Sequence, residues 1–471
     1  MKKVLFALLI LGLLLPGAGL FASSLDYLTN QSARWFMTPT RNAATDAADI
    51  VNFNPAGTVF LPLGWNFDIS NQTLFKWYGN STTLLPSATG STLGLSPDYD
   101  PLKQDLPTWY LPNIYAAYNF GRKGPGKLAL YGQLGITAGG GNLEYDEGTA
   151  GSTFALTGLK AALAAGQFAP DFGFGYSTGN ITSQSFKASS IYYGAALGGA
   201  YSLFDDMASV SLGGRFLMPK RGFTLEAEYA AFGAVGAEYE YDAYGFTPII
   251  GFDVKPVDGL TLAARYEVET ALEFEYDQKE IHGASADHRD VINEFLQSNG
   301  IFDGKKFNQN LPHSIFLGAE YDVTRDFTVS LSGNIFMLSV ADLGETTDGK
   351  QINDFFDTGF EIGIGATYKV VEAFKLGFGV LYTETGAKDS YFNSDKTILN
   401  ASANPALDSI AFGAGGTYFF ESGLDLTLSA LYSHYLPFDY SVTKSDPDIY
   451  TVSGTYSKEV FAVGIGLGYK Y

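Results

Sequence analysis

Five charged residues stand in stretches that otherwise alternate between apolar and uncharged side chains: Asp68, Arg215, Arg265, Glu267 and Glu361. On a strand, residues of one parity share a face. By that count all five lie on the polar face. Two guanidiniums and three carboxylates on one inner face can pair with each other and with a buried segment. Alternatively, Arg215 or Arg265 can meet a ligand carboxylate through charge-assisted hydrogen bonds. The other chemistry-bearing motifs carry less. Gly175-Tyr176-Ser177-Thr178-Gly179 has the spacing of a nucleophile elbow, but that motif needs a strand-to-helix turn in an α/β sheet, and here it sits in a Gly-rich connection. His282, His288, His313 and His434 show no metal-ligand spacing, and there is no cysteine. Gly464-Ile465-Gly466-Leu467-Gly468 is strand alternation with no helix after it, so it is not a dinucleotide loop. We expect no catalytic residue, no metal and no cofactor.

The elements that carry these charges have a dominant period of two from Trp65 onward. Trp65, Phe67, Ile69, Thr73, Phe75 and Trp77 share one face; Asn66, Asp68, Ser70, Gln72 and Lys76 share the other. Such alternation suits a half-buried sheet or a membrane strand that is apolar outside and polar inside. Further strands are predicted at 108–120, 127–138, 186–203, 206–219, 242–255, 260–276, 312–323, 327–340, 355–371, 374–386, 407–420, 424–436 and 457–471. That makes about fourteen, each near the length that crosses a bilayer at a tilt. Their connections alternate in length. Short turns fall near 121–126, 204–205, 256–259, 324–326, 371–373 and 421–423. Long loops fall near 80–107, 139–185, 220–241, 277–311, 341–354, 387–406 and 437–456. Outer-membrane barrels have short periplasmic turns and long outer loops. Tyr201, Tyr321, Tyr368 and Tyr418 each follow small residues just before a short turn, as an interfacial girdle requires.

Composition agrees. The 471 residues include 55 Gly, 30 Tyr and 37 Phe, and only 17% are charged. No internal stretch approaches the ~18 apolar residues of a spanning helix. Aromatic and glycine enrichment without such helices points to an all-β transmembrane barrel. Met1-Lys2-Lys3, the apolar run from Val4 to Leu15, and the small residues up to Ala22 read as a secretory leader, 1–22. The net charge is −21, and removing Lys2 and Lys3 makes it two charges more negative. Nucleic acid is not an expected partner of so acidic a chain.

Between the leader and the first strand lies Asp49-Ile50-Val51-Asn52-Phe53-Asn54-Pro55-Ala56-Gly57. Pro55 fixes its own φ and pushes Asn54 out of the helical region, and Gly57 permits a positive φ. A short helix is predicted at 43–50. With the Ala- and Asn-rich segment before it and the strands after it, this stretch resembles the amino-terminal hatch of the FadL/TodX family of outer-membrane transporters for hydrophobic compounds. The resemblance implies a monomeric fourteen-stranded barrel with the hatch in its lumen. It implies capture of long-chain fatty acids or aromatic hydrocarbons at an outer groove, transfer to a lumen pocket, and sideways release beside a kinked third strand. Here the third strand is predicted to end at Ala138, before Gly139-Gly140-Gly141, with Gly132 and Gly135 inside it. The last strand, Phe461 to Tyr471, resembles the terminal strand read by the barrel-assembly machinery, which becomes an expected partner together with outer-membrane lipid.

Two outer loops carry helical spacing: Leu159, Ala162, Leu163 and Gly166 in 157–168, followed by Phe168; and a helix capped by Asp287, pairing Val291 with Phe295 and Ile292 with Leu296, and closed at Gly300. These are the second and fourth outer loops, whereas the family builds its groove mainly from the third and fourth. Candidate ligand contacts are Trp35, Phe36 and Phe53 in the hatch, Leu159, Leu163, Phe168, Phe295 and Leu296 in the loops, and Arg215 and Arg265 in the wall. The expected organisation is leader 1–22, hatch 23–62 and barrel 63–471. The expected function is passive uptake of hydrophobic compounds across the bacterial outer membrane, without an enzymatic step. The alternatives are a general or structural porin or adhesin, and a lipid hydrolase using Ser177.

Overall fold

The computed structural model describes residues 30–85, 98–164, 181–230, 233–346, 348–444 and 450–471. The leader and the Ser177 motif lie outside the described residues, as does Phe168.

Fourteen antiparallel strands close into one barrel. The first, Gly64–Leu85, pairs with Thr108–Lys123 on one side and with Tyr450–Lys470 on the other. The closing register runs from Asn66↔Lys470 to Leu85↔Thr451. Trp65 and Tyr471 exchange two backbone hydrogen bonds of 2.9 Å. Closure leaves no strand edge, which is what a sheet in hydrocarbon needs. Parity holds around the wall. Ile69, Leu134, Leu212, Leu331, Ile364, Leu428 and Leu467 are exposed outward. Asn66, Asp68, Ser70, Gln72 and Lys76 are buried inward. An apolar band of this extent fits lipid better than water. The short turns lie at one end of the barrel as expected, and exposed Tyr321, Tyr368 and Tyr418 stand beside them.

The long connections differ from expectation. The predicted loop at 220–241 is a tight hairpin, in which Ala208–Tyr229 pairs with Gly233–Asp242 from Lys220↔Asp242 to Tyr229↔Gly233. Its inner parity is apolar (Phe223, Ala227, Val235, Ala237, Tyr239 and Tyr241, all buried) and its outer parity is acidic (Glu226, Glu228, Glu240). The acidic outer row disguised a strand as a loop. Likewise the third strand, Gly126–Tyr145, does not stop at Ala138; it bends at Gly135, Gly139 and Gly141, whose φ values are positive, and continues. The first loop helix starts earlier than predicted, spanning Ala150–Ala164. The second spans Ala286–Ser298, and its cap is Ser285, whose hydroxyl accepts from His288 N at 3.2 Å; Asp287 sits in the first turn instead.

Residues from Asn30 to Leu61 fill the lumen. They form one short helix, Ala33–Met37, and three 3₁₀ turns, Arg41–Ala43, Ala48–Asn52 and Pro55–Phe60, in place of the predicted helix at 43–50. Such short pieces do not stand alone in water, so the barrel must hold them. It does so partly by shape. A Cβ at Gly377 would lie 2.6 Å from Met37 Cγ, and one at Gly413 would lie 2.3 Å from Phe36 O. Bare backbone at these inward positions lets the hatch approach the wall.

Candidate functional site

The hatch is anchored by charge as well as shape. Arg34 is buried and reaches Asp68 on the first strand at 3.3 Å and Asp425 two strands along the wall, beyond Gly468 of the closing strand. Arg41 pairs with Asp46 at 2.7 Å and Asp49 at 2.6 Å, and Lys375 of the wall also reaches Asp46 at 2.7 Å. Burial works against charge on Asp46, yet Arg41 and Lys375 hold its carboxyl well below the usual carboxylate range. Asn42 Nδ2 donates to Asn334 Oδ1 at 2.8 Å and Leu317 O at 2.9 Å.

The Asn54-Pro55-Ala56-Gly57 motif is a capped turn. Asn54 Oδ1 accepts from Ala56 N at 3.3 Å while Pro55 opens the 3₁₀ turn. Asn54 Nδ2 donates to Asp253 Oδ1 at 2.7 Å and Phe252 O at 3.0 Å, so the same side chain docks the hatch on the strand Gly245–Val257. Ser209 Oγ donates to Ala56 O at 2.8 Å. Gly57 lies inside the 3₁₀ turn with no positive φ. It is needed for space, since a Cβ there would meet Asp253 Oδ2 at 3.1 Å and Ala44 O at 3.2 Å. The motif therefore seats the hatch, and none of its four residues lines either of the two cavities described below.

Next to the hatch lies a lumen cavity of about 190 Å³. Trp35, Phe36 and Phe53 line it from the hatch, and Leu74, Leu381 and Leu431 from the wall. Arg215 and Arg265 line it as well. Glu267 bridges them: Arg265 Nη2 lies 3.3 Å from Glu267 Oε1, Arg215 Nη1 donates to the same oxygen at 3.3 Å, and Arg215 Nη2 pairs with Oε2. Arg265 also donates to Asn52 O of the hatch and stacks 3.9 Å from the Phe316 ring centroid. The Nε–H groups of Arg215 and Arg265 are buried without a hydrogen-bond partner. Within this triad two guanidiniums share one carboxylate. Glu361 faces the same cavity and accepts from Asn334 at 2.7 Å and Thr383 at 3.2 Å. So all five inner charges point inward as parity required, and Asp68 and Arg265 hold the hatch.

A second, smaller cavity of about 40 Å³ lies in the outer crown, and its lining is apolar. Leu159 comes from the second outer loop, Phe223 and Val235 from the hairpin that forms the third, and Phe295 and Leu296 from the fourth. The third loop thus joins the two helical ones, which the sequence pattern did not show. Leu163 lies on the same helix as Leu159.

The structure brings the candidate hatch aromatics and arginines to one cavity, and it adds two lysines that the candidate set does not include. Lys458 is buried, donates to Asn404 Oδ1 at 2.8 Å, and lies 4.8 Å from the Tyr78 ring and 4.6 Å from the Tyr435 ring. Lys76 is equally buried and lines the same cavity. Inward parity was the only available signal for either.

No protein-family model matches the chain, and no curated protein matches it. Solved structures do. The chain is similar to a Pseudomonas aeruginosa FadL homologue at 13% identity and a TM-score of 0.62, covering 93% of this chain and 98% of that one. It is similar to the P. putida toluene transporter TodX at 12% identity and TM-score 0.53, over 94% and 99%. It is similar to the Ralstonia pickettii toluene transporter TbuX at 10% identity and TM-score 0.51, over 94% and 99%. At such identities the likeness is one of fold, and it extends over nearly the whole of each chain.

Proposed function

We propose that this protein is an outer-membrane channel for passive uptake of hydrophobic compounds. The observation that carries the reading is the pairing of an apolar crown cavity with a partly apolar lumen cavity inside a lipid-facing barrel whose lumen a folded hatch fills. An apolar solute gains by leaving water for the crown. It then moves to the lumen cavity against Trp35, Phe36 and Phe53. The bend of the third strand at Gly135–Gly141 supports sideways exit from there. The solved neighbours' printed names, two of them toluene transporters, favour the same class of cargo. The unpaired Nε–H groups of Arg215 and Arg265 favour a cargo with a carboxylate head, such as a long-chain fatty acid, over a neutral hydrocarbon. The leader at 1–22, insertion by the assembly machinery and a monomeric state belong to this reading.

The test is uptake of radiolabelled oleate and toluene by cells expressing the protein at matched surface levels, together with liposome swelling in sugars. Uptake of either probe with near-closed behaviour toward sugars supports the proposal. Swelling in sugars without uptake of either probe would show a general pore instead.

A further inference from the structure

Between the upper halves of the second and third strands, side chains stitch the wall where backbone pairing stops. The second strand, Thr108–Lys123, pairs with the third only from Asn113↔Gly135 to Lys123↔Gly126. Among the described residues, beyond Gly135 the third strand pairs only with the fourth, Ile181–Leu203, through two register shifts between Ile136 and Gly141. Residues 108–112 face this gap with no backbone partner on the third strand. Pro112, which has no N–H to offer, sits at its start.

Buried carbonyls facing such a gap need donors, and side chains supply them. Asn113 Nδ2 donates to Ile136 O at 3.1 Å, and Asn30 Nδ2 of the hatch donates to Gly139 O at 3.2 Å. Thr108 Oγ1 donates to Gly140 O. Lys76, on the first strand, reaches across to donate from Nζ to Gly140 O and to Asn142 O, both at 2.7 Å. Its own carbonyl accepts from Gln104 Nε2 at 3.1 Å. One ammonium therefore ties the first strand to the third across the gap. Gly139, Gly140 and Gly141 put no side chain in the way, and both they and Lys76 line the lumen cavity.

We propose that Lys76 is the bolt of a side gate between the second and third strands, and that its two carbonyl contacts set how often the gap opens to lipid. This rests on the uptake reading above for its purpose, but the bolt itself is a statement about the wall. A ladder of backbone bonds opens only cooperatively. A gap held by a few side-chain donors loosens when its one charged donor, which alone makes two of the contacts, finds other partners, and an ammonium is strongly hydrated and flexible on its stem. A polar head group entering the cavity beside Lys76 would offer such partners.

The absence of native cysteine makes two tests clean. In the first, Thr108→Cys reports on the gap through its rate of labelling by pyrene maleimide in the membrane, with and without Lys76→Met. The bolt predicts labelling about tenfold faster in the Lys76→Met background, since two hydrogen bonds holding the closed state are gone. Equal rates overturn it, whatever the protein transports. In the second, Thr108→Cys with Gly141→Cys spans the gap; a Cβ at Gly141 lies 3.5 Å from Thr108 Cβ, within disulfide reach. The oxidised form should bind oleate in detergent yet lose oleate uptake, and reductant should restore it. Binding and uptake both unchanged on oxidation would show that cargo does not leave by this gap, overturning the gate. Loss of binding and uptake in every form, wild type included, would instead overturn the uptake reading and leave the labelling result to decide the bolt.

Discussion

The hatch and the outer crown both fill the barrel, and they do so by opposite means. The hatch is short and is pinned by ions: Arg34 spans Asp68 and Asp425, Arg41 spans Asp46 and Asp49, and Asn54 caps its own turn while gripping Asp253. The crown is aromatic and aliphatic. Phe223 stacks on Tyr239 at 5.5 Å, Tyr440 on Tyr456 at 4.1 Å, and Phe392 on Phe438 at 4.2 Å. Buried ions hold one arrangement strongly because losing either partner strands a charge. Apolar surfaces repack with little penalty and accept greasy solutes. The seat of the hatch is thus fixed by buried charges added to apolar packing, whereas the crown cavity is lined by rings and methyl groups.

This contrast can be broken from either side. Deleting residues 24–62 should have the largest effect, turning a nearly closed barrel into one that admits sugars and antibiotics. Swelling rates at matched surface levels measure it, and unchanged permeability would show that the segment does not plug the lumen. Arg34→Ala should cost about 3–5 kcal/mol by leaving two buried carboxylates unpaired, and Asp68→Asn with Asp425→Asn in the same chain should recover much of it. The midpoint of heat-modifiable gel mobility reads both.

Two adjacent positions sharpen the wall. Leu376→Arg, on the lipid side, should cost about 2–4 kcal/mol. Gly377→Ala, on the hatch side, should cost about 1–3 kcal/mol by overpacking against Met37. Only the second penalty should vanish when the hatch is deleted; if both persist, the glycine serves the strand and not the hatch. In the crown, Phe295→Ala should leave barrel stability unchanged and weaken oleate binding about tenfold, or roughly 1.4 kcal/mol, by equilibrium dialysis. The smallest change is Asn54→Ala. Losing the cap should cost about 1 kcal/mol of hatch seating, leaving the barrel assembled while altering oleate uptake. Normal uptake of oleate and toluene alike would reduce the motif to a turn.

Much of the wall was legible because a barrel strand obeys a local rule. Each residue faces lipid or lumen, so the period of two, the inward Asp68, Arg215, Arg265, Glu267 and Glu361, and the outward Trp65, Ile69 and Trp77 follow from spacing alone. The hairpin at 220–241 escaped because its acidic outer row looks like loop. The third strand's continuation escaped because glycines that permit a bend cannot say whether pairing resumes after it.

The hatch contacts are of another kind. The chain alone settles that Asn54 and Pro55 begin a turn, since capping and a fixed φ act over three residues. It does not settle that Asn54 also grips Asp253, 199 positions away, or that Arg34 meets Asp425, 391 positions away. Nor does it settle that Lys76 crosses a gap to Gly140 and Asn142. Local periodicity decides which face a side chain occupies. Which partner it finds there depends on closure of the barrel, which brings together segments that no short-range pattern relates.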